Sequence, residues 1–244
     1  MSDLIVYKDN YLVEASYKLT LMEQRLMLYC ISKLNPQKPQ QKQKIVVEDF
    51  IKQFPDIQSN NAYAQIKKSI DALGERWIKV KAPKYTEEFR WIQSKKYFNN
   101  TGTAVIEFSN SVMPYLCQLE KQFTNYLLRN ISAFKRTYSI RLYELLSQYR
   151  TLKSRNINLL DLRIALQLEN KFSEWFELKR KVIDPSIKEI NEKSDLNIAY
   201  KVLRKGRSIN AIEFYIEIDT QIKMFEGQEK LKKLKKLLNN NKTT

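Results

Sequence analysis

Apolar residues recur three and four positions apart in the first part of the chain, which is the spacing of an amphipathic helix. Residues 19–34 have this pattern, and Thr20 with Glu23 has the S/T-x-x-E spacing of a capping box, so a helix is predicted to begin there. Two shorter helices are predicted next, at residues 48–54 and 60–73. The apolar face of the second is expected to consist of Tyr63, Ile66, Ile70 and Leu73. The chain is therefore expected to open with three consecutive helices.

The period of the apolar residues changes to two after Gly74, which is itself a natural end for a helix. Alternation over residues 76–81, 89–97 and 103–108 predicts three strands, and the turn-forming residues 99–102 join the last two into a hairpin. Three helices followed by a hairpin is the order of a winged helix.

The second half of the chain has a similar order of patterns. Helical stretches are predicted at residues 132–149, 161–168 and 172–193. Asp161 is the expected cap of the second stretch, and Pro185 is predicted to kink or split the third because proline removes a backbone donor. Strands at residues 198–203 and 209–218, with a turn at Gly206, then predict a second hairpin.

The two halves also match in detail, since Arg25 and Arg141 occupy corresponding places in their leading helices, as do Asp49 and Asp161 in the helices that follow. The sequence thus predicts an α+β protein of two tandem winged-helix domains, each with three helices and a β-hairpin wing, joined by a helix. The expected bounds are residues 1–130 and 131–225. A Lys-rich tail follows at residues 226–244.

The charge of the chain limits the kinds of partner it is expected to have. Lys and Arg number 43 against 27 Asp and Glu, a formal net charge of +16. A surplus of this size favours a polyanionic partner, with nucleic acid as the first candidate and an anionic membrane surface as the competitor. The first ten residues do not form a signal peptide, and no apolar run is long enough to span a membrane, so a soluble cytoplasmic protein is expected.

The absence of certain residue types argues against catalysis. The chain has no His, only four Gly and only two Cys, Cys30 and Cys117, which lack the spacing of metal ligands. Triads, His-ligated metal sites and glycine-rich nucleotide loops are therefore excluded, and we expect no enzyme activity, no cofactor and no metal. The 14 Tyr, 11 Phe and 3 Trp are compatible with stacking on single-stranded bases, but core packing is the favoured interpretation.

Several segments together resemble the iteron-binding plasmid replication initiators, the Rep proteins of the RepE and π type. The segments are residues 6–15, 17–20, 23–26, 138–145, 176–191, 206–207 and 212–214. The resemblance covers roughly residues 6–218 and depends on the order and spacing of the segments more than on any one of them. The Lys-rich tail is a departure from the core of that family.

The resemblance implies a function as well as a fold. Monomers of such a protein would bind direct repeats at a plasmid origin, help to open adjacent A·T-rich DNA and bring in host replication proteins such as a helicase or initiator. A homodimer formed through the first domain would bind an operator and repress the rep promoter. The alternatives are a winged-helix transcriptional regulator without an initiation role and a scaffold or membrane-surface protein that uses the tail.

The strongest site prediction is the basic trio Lys179, Arg180 and Lys181 on the third helix of the second domain, which resembles the family's recognition helix. Such a helix places basic side chains in the major groove, where Arg180 is expected to bind a guanine edge. The other DNA-binding residues predicted in this domain are Lys171, Ser173, Lys205 and Arg207. The alternative is a solvated basic face without a ligand.

In the first domain, DNA contacts are predicted on the third helix and on the hairpin that follows it. The residues are Tyr63, Gln65, Lys67 and Lys68 on the helix, and Arg90, Lys95 and Lys96 on the hairpin. Wings commonly contact the sugar-phosphate backbone, which positions a protein on DNA without reading its sequence. A generic lysine-rich surface is again the alternative. The tail is interpreted as a frayed end, although contact with DNA or a partner stays open.

Overall fold

The computed structural model describes residues 3–219 except residues 36, 39, 100, 118, 120 and 121. The Lys-rich tail at residues 226–244, which is predicted to be a frayed end, lies outside the described residues. Within the described part of the chain, the helices are too short or too polar to cross a membrane.

The first half of the chain consists of many short strands and helices. The elements are β1 (Ile5–Asp9), α1 (Asn10–Glu14), β2 (Ser16–Tyr17), α2 (Leu21–Ser32), β3 (Lys42–Val46), α3 (Val47–Gln53), α4 (Ser59–Leu73), β4 (Trp77–Lys81), β5 (Thr86–Arg90), β6 (Ile92–Phe98), β7 (Thr103–Phe108), a 3₁₀ turn (Met113–Tyr115), β8 (Phe123–Leu127) and α5 (Arg129–Ser132).

The second half has fewer and longer elements. They are α6 (Thr137–Ser147), β9 (Ser154–Asn158), α7 (Leu159–Ala165), α8 (Trp175–Leu178), a π-helical turn (Lys179–Ile183), α9 (Asp184–Lys193), β10 (Leu196–Lys205) and β11 (Ser208–Ile218). Because α8, the π turn and α9 follow one another without a break, we refer to them together as helix 175–193.

The predicted duplication is confirmed by the topology of two three-stranded sheets. The first winged helix consists of α2, β3, α3, α4, β6 and β7, with the strand order β3-β7-β6. The second consists of α6, β9, α7, helix 175–193, β10 and β11, with the order β9-β11-β10. In each sheet the early strand pairs with the last one, so that Ile45 lies opposite Ala104 and Ile157 opposite Ile212.

The prediction of one continuous strand at residues 89–97 is wrong, because the chain leaves one sheet and enters another at Trp91. Strand β5 ends at Arg90 and belongs to a separate sheet with the order β2-β4-β5, whereas β6 begins at Ile92. Trp91 is 1% exposed, and its ring lies edge-on to that of Tyr17 at 5.0 Å. Burial of this large side chain between the sheets explains the break, which alternation alone does not reveal.

Several helix ends also differ from their predicted positions. The capping box at Thr20 and Glu23 is confirmed, with both reciprocal hydrogen bonds formed. By contrast, the cap of α7 is Asn158, whose side chain accepts a hydrogen bond from the backbone of Leu160, and Asp161 lies inside the helix. Helix α6 begins at Thr137 rather than at residue 132, since α5 is a separate short helix.

The corresponding arginines of the two leading helices have the same structural role. Both are buried, and both donate hydrogen bonds to backbone carbonyls near the ends of other short helices. Arg25 reaches the carbonyls of Ser132 and Phe134 beside α5. Arg141 reaches those of Val13, Ala15 and Ala165 beside α1 and α7. These carbonyls lack partners within their own helices, so a forked cation satisfies several at once.

A buried ionic cluster, here called the junction cluster, lies where α6 of the second winged helix meets β1, β2 and β8 of the first half of the chain. Its centre is the Glu144 carboxylate, which is fully buried and accepts hydrogen bonds from Lys8 and Tyr126, each at 2.6 Å. Its other oxygen accepts from Arg141 at 3.0 Å and from Tyr17 at 3.3 Å. Since Arg141 also binds the ends of α1 and α7, the cluster connects α6 and α7 of the second winged helix to β1, α1, β2 and β8 in the first half of the chain.

The charges around Glu144 determine its ionisation. Burial alone favours the protonated acid, but the charges of Lys8 and Arg141 and the hydrogen bonds of Lys8 and Tyr126 outweigh it, so the pKa of Glu144 lies below its ordinary value of 4.5. The carboxylate is therefore ionised at neutral pH, with two cations held around it.

Replacing Glu144 with Gln is expected to lower the free energy of unfolding by about 3–5 kcal/mol, because the amide leaves Lys8 and Arg141 buried without a counter-charge. Urea denaturation followed by circular dichroism measures the change. The matched control is Glu192→Gln, since Glu192 is 54% exposed in a surface pair with Lys188 and should change stability by less than about 0.5 kcal/mol. A loss no larger than that of the control would contradict the role given to the cluster.

The same variant has an expected pH dependence. The pKa of Glu144 is lower in the folded chain than its ordinary value of 4.5, so its stabilising effect is present above that pH. This stabilisation is lost as the pH falls through the pKa of Glu144 in the folded chain. The difference in unfolding free energy between the wild type and Glu144→Gln should therefore narrow below pH 4.5. Denaturation curves at several pH values measure it, and a constant difference would contradict the expectation.

Candidate nucleic-acid interface

Helix 175–193 is the third helix of the second winged helix and carries the predicted basic trio. It begins at Trp175 rather than at residue 172, because Phe172 has a φ of 52° in the left-handed region and cannot continue a helix. Its buried face includes Leu178, Val182 and Ile183. Lys179 is half-buried, and Arg180 and Lys181 are exposed, so the trio lies on the outer side of a helix whose inner side is fixed by packing.

The predicted kink at Pro185 takes the form of a widened turn. Residues Lys179–Ile183 are π-helical, and the backbone N–H of Asp184 donates to the carbonyl of Lys179, five residues earlier. In an α-helix the proline ring would oppose the carbonyl of Lys181, which lies within this turn. The helix therefore stays continuous, and residues five apart come side by side.

The π turn brings Lys179 and Asp184 together at 2.5 Å. The other carboxylate oxygen of Asp184 accepts a hydrogen bond from the Tyr200 hydroxyl at 2.7 Å, which attaches β10 to the helix. Partial burial opposes ionisation of Asp184, but the hydrogen bonds of Lys179 and Tyr200 lower its pKa. Lys179 is thus partly engaged in holding the wing against the helix.

The other two residues of the trio have different partners. Lys181 pairs with Glu177 at 2.8 Å, one turn earlier on an exposed face. The Arg180 guanidinium lies 5.7 Å from the centre of the Phe176 ring, and among the described residues it forms no ion pair within 4 Å, although its charge helps to lower the pKa of Glu177. Of the three, Arg180 is therefore the cation without a direct ion pair in the described part of the chain.

The loop between α7 and helix 175–193 is organised by one arginine. Arg163 donates hydrogen bonds to the backbone carbonyls of Lys171, Phe172 and Ser173 at 2.7–2.9 Å. These are the residues that adopt the left-handed turn at Phe172 and lead into the helix. Arg163 thereby positions the start of the helix, and the predicted residues Lys171 and Ser173 belong to this loop.

The second wing is the hairpin of β10 and β11, with the predicted residues Lys205 and Arg207 at its tip. Gly206 between them has a φ of 63°, a conformation that glycine adopts without strain, and its missing Cβ has open space around it. Both cations are exposed. The tip therefore presents two positive charges on a tight turn, as the sequence predicted.

Helix α4 is the corresponding third helix of the first winged helix. The predicted residues Tyr63, Gln65, Lys67 and Lys68 are all exposed on it. Tyr63 was also expected on the apolar face, which is wrong, because Ala62 lies on that face and Tyr63 is 37% exposed. The correction leaves Tyr63 available on the outer surface together with the two lysines.

The first wing, formed by β6 and β7, packs against α4 through one acidic residue. The Asp71 carboxylate accepts hydrogen bonds from Lys95 at 2.6 Å and from the Tyr97 hydroxyl at 2.9 Å, and these bonds lower its pKa. Lys67 lies over the Tyr97 ring. Lys96 projects from the opposite side of β6, over the Phe98 ring. Lys95 is thus occupied in attaching the wing, and Lys96 is exposed.

Arg90 is not part of this wing, contrary to the prediction. It is the last residue of β5, in the separate β2-β4-β5 sheet, where it donates to the carbonyl of Gly74 and pairs with Glu75. Its guanidinium also lies 5.2 Å from the Trp77 ring. The misplacement follows from the missed break at Trp91.

Three residues of this surface were missed by the sequence analysis. Phe176 is 68% exposed although the helical pattern assigns large apolar residues to the core. Tyr97 and Arg163 make their contacts through tertiary structure, so no local pattern marks them. The i, i+4 spacing of Phe176 and Arg180 was the one available signal.

Replacing Arg163 with Met should loosen the loop without unfolding the protein. Hydrogen bonds to a charged group each contribute about 1.5–3 kcal/mol, so amide exchange around residues 171–175 should become about tenfold faster or more. Hydrogen–deuterium exchange by mass spectrometry measures this. Arg136→Met, at an exposed arginine before α6, is the control and should exchange like the wild type. Equal exchange in both variants would show that Arg163 does not hold the loop.

Two family models cover most of the chain. The model described as Initiator Replication protein, WH1 matches residues 5–147, and the model described as Initiator Rep protein, WH2 matches residues 158–216. A replication initiation protein of Escherichia coli is 32% identical over 233 residues, which are 91% of this chain and 72% of that protein. An uncharacterized 27.6 kDa protein of Escherichia coli is 27% identical over 225 residues, 85% of this chain and 93% of that protein.

Solved structures agree with the fold. The crystal structure of the Pi initiator protein in complex with iteron DNA superposes with a TM-score of 0.78 at 22% identity, over 90% of this chain and 99% of that one. Domains 2 and 3 of RctB give a TM-score of 0.53 at 13% identity, over 82% of this chain and 81% of that one. The tandem winged helices and both family matches lead to one conclusion: the chain belongs to the family of initiator replication (Rep) proteins.

Proposed function

We propose that this protein is a plasmid replication initiator that binds direct repeats, or iterons, in duplex DNA at its origin. The observation that carries the proposal is the outer face of helix 175–193, where Arg180 is exposed and forms no direct ion pair among the described residues. The similarity of the fold to the Pi initiator, which was crystallised with iteron DNA, supports the same kind of ligand here.

Helix 175–193 would enter the major groove with its first turns. An α-helix fits that groove, and the N-terminal residues of a recognition helix are those that commonly contact base edges. Arg180 would donate two hydrogen bonds to the O6 and N7 atoms of a guanine. Lys179 and Lys181 would contact phosphates, since their ion pairs with Asp184 and Glu177 are about half exposed and exchange readily in water.

The remaining predicted residues would contact the DNA backbone. Lys205 and Arg207 at the tip of the second wing would reach phosphates beside the major groove, with Lys171 and Ser173 on the loop before the helix. In the first winged helix, Tyr63, Gln65, Lys67, Lys68, Lys95 and Lys96 would make similar contacts. Such contacts fix the register of a protein on the duplex and carry no sequence information. Arg90 is omitted because it lies on another sheet.

The two winged helices would bind one repeat together. Through Arg141 the junction cluster fixes α6 and α7 of the second winged helix to α1 in the first half of the chain, which supports a defined spacing of the DNA segments that the two winged helices would contact. As part of the same proposal, monomers on the repeats would help to open A·T-rich DNA and recruit host replication proteins in the cytoplasm. A homodimer would bind an operator and repress the promoter.

DNA binding can be tested with duplexes from the region upstream of the gene. Fluorescence anisotropy should show binding to a repeat-bearing duplex about 10³-fold or more tighter than to a scrambled one. The variant Lys179→Ala/Arg180→Ala/Lys181→Ala should lose most of this preference. Its log–log salt slope should fall by about 0.9 for each phosphate contact that is removed.

The matched control removes the same charge from another surface. Lys79, Lys81 and Lys84 lie on the β4–β5 hairpin, and their triple replacement with Ala should keep the preference for the repeat. Equal loss of the preference for the repeat in both triple variants would mean that Lys179, Arg180 and Lys181 act only through their positive charge. Equal binding of the wild type to both duplexes would contradict the proposal itself.

Initiation can be separated from transcriptional regulation in cells. A plasmid that carries the origin and the gene should fail to replicate when the gene encodes Arg180→Ala, because recognition of the repeats is lost. The same variant should derepress a reporter fused to the rep promoter. Normal replication together with derepression would favour a regulator without an initiation role.

A further inference from the structure

Phe176 occupies a position that core packing does not explain. It is the second residue of helix 175–193 and is 68% exposed, whereas Trp175 and Leu178 on either side of it pack against the hydrophobic core. A single exposed apolar side chain is common and by itself indicates nothing. Here, however, the ring lies on the same outer face as Arg180, at the end of the helix that would enter the groove.

Phe176 and Arg180 are also arranged as a pair. They are four residues apart, and the Arg180 guanidinium lies 5.7 Å from the centre of the ring. The ring restricts the guanidinium by a cation–π contact and leaves its outer N–H groups available. Because Arg163 holds the loop that precedes the helix, the first turn that carries Phe176 is fixed as well.

We propose that Phe176 and Arg180 recognise two neighbouring base pairs as one unit. Arg180 donates to the O6 and N7 atoms of a guanine, and the exposed edge of Phe176 contacts the 5-methyl group of a thymine beside it. This inference rests on the proposed function and specifies which bases the second winged helix recognises. Four helical residues rise about 6 Å, which places the two side chains within reach of adjacent or next-nearest base pairs.

The chemistry of the major groove supports thymine as the partner of an aromatic side chain. Among the four bases, thymine presents an apolar methyl group at the floor of that groove, and Phe is one of the side chains known to contact it. A cytosine at the same position lacks this methyl group. The phenyl ring therefore favours thymine by burying its methyl group.

The test begins with selection of duplexes from a random pool by the full-length protein, which requires no knowledge of the origin. Each thymine of the enriched site is then replaced by deoxyuridine, which removes the methyl group and keeps every hydrogen-bonding group. At one position the wild type should bind about fourfold more weakly, as expected for one buried methyl group. Phe176→Ala should bind the thymine and deoxyuridine duplexes equally.

The guanine partner is tested in the same duplex. Replacement by 7-deazaguanine removes the N7 acceptor, and at a guanine adjacent or next-nearest to the identified thymine it should weaken binding by the wild type about tenfold. Arg180→Ala should not distinguish the two duplexes. The control variant is Leu152→Ala, since Leu152 is also 68% exposed but lies in the turn between α6 and β9, and it should keep both responses.

The outcomes separate the two proposals. A pool from which no sequence is enriched overturns sequence-specific DNA binding, and with it the proposed function. If a site is enriched but deoxyuridine weakens DNA binding by the wild type and by Phe176→Ala equally, or weakens binding by neither, the inference is overturned and the proposed function is left intact. Circular dichroism of Phe176→Ala should match the wild type, because the side chain is mostly exposed.

Discussion

The attachment of the second winged helix to the first half of the chain depends on the ionised Glu144 carboxylate. It is completely buried and holds Lys8 from β1, Tyr126 from β8 and Arg141 from α6. Arg141 in turn satisfies carbonyls at the ends of α1 and α7, which belong to different halves of the molecule. Without the carboxylate, these cations would be buried and uncompensated, which is why one acidic residue has consequences for both halves.

The positions of the basic side chains on helix 175–193 also depend on contacts with other parts of the fold. The π turn before Pro185 brings Lys179 beside Asp184, and Tyr200 attaches that carboxylate to β10. Lys179 is thereby drawn toward the wing, while Arg180 lies against Phe176 on the outer face. Three consecutive basic residues thus differ in their surroundings, and we infer that they differ in what they contribute to DNA binding.

Whether a sequence prediction is confirmed depends on how far apart in the chain the interacting residues lie. The capping box of α2 and the turn at Gly206 involve residues a few positions apart, and both were predicted from the sequence. The break at Trp91 depends on two sheets that meet there, and it led to the misplacement of Arg90. Tyr63 was predicted on the buried face of α4 because its spacing from Ile66 and Ile70 is that of an apolar helix face, but its side chain is exposed.

The duplicated order of helices and hairpins, the positive charge and the position of the basic trio can be predicted from the amino-acid sequence. These depend on local periodicity and composition, which a single chain displays directly. Three features become visible only in the folded protein: which basic side chains have partners, how Arg163 forms the loop, and that Glu144 joins the two halves. The first two depend largely on how the π turn at residues 179–183 and the left-handed turn at Phe172 bring nearby residues together. The third requires residues far apart in the chain to meet, since Lys8 and Glu144 are 136 positions apart. No local pattern records such contacts, because they form only when both halves have folded against each other.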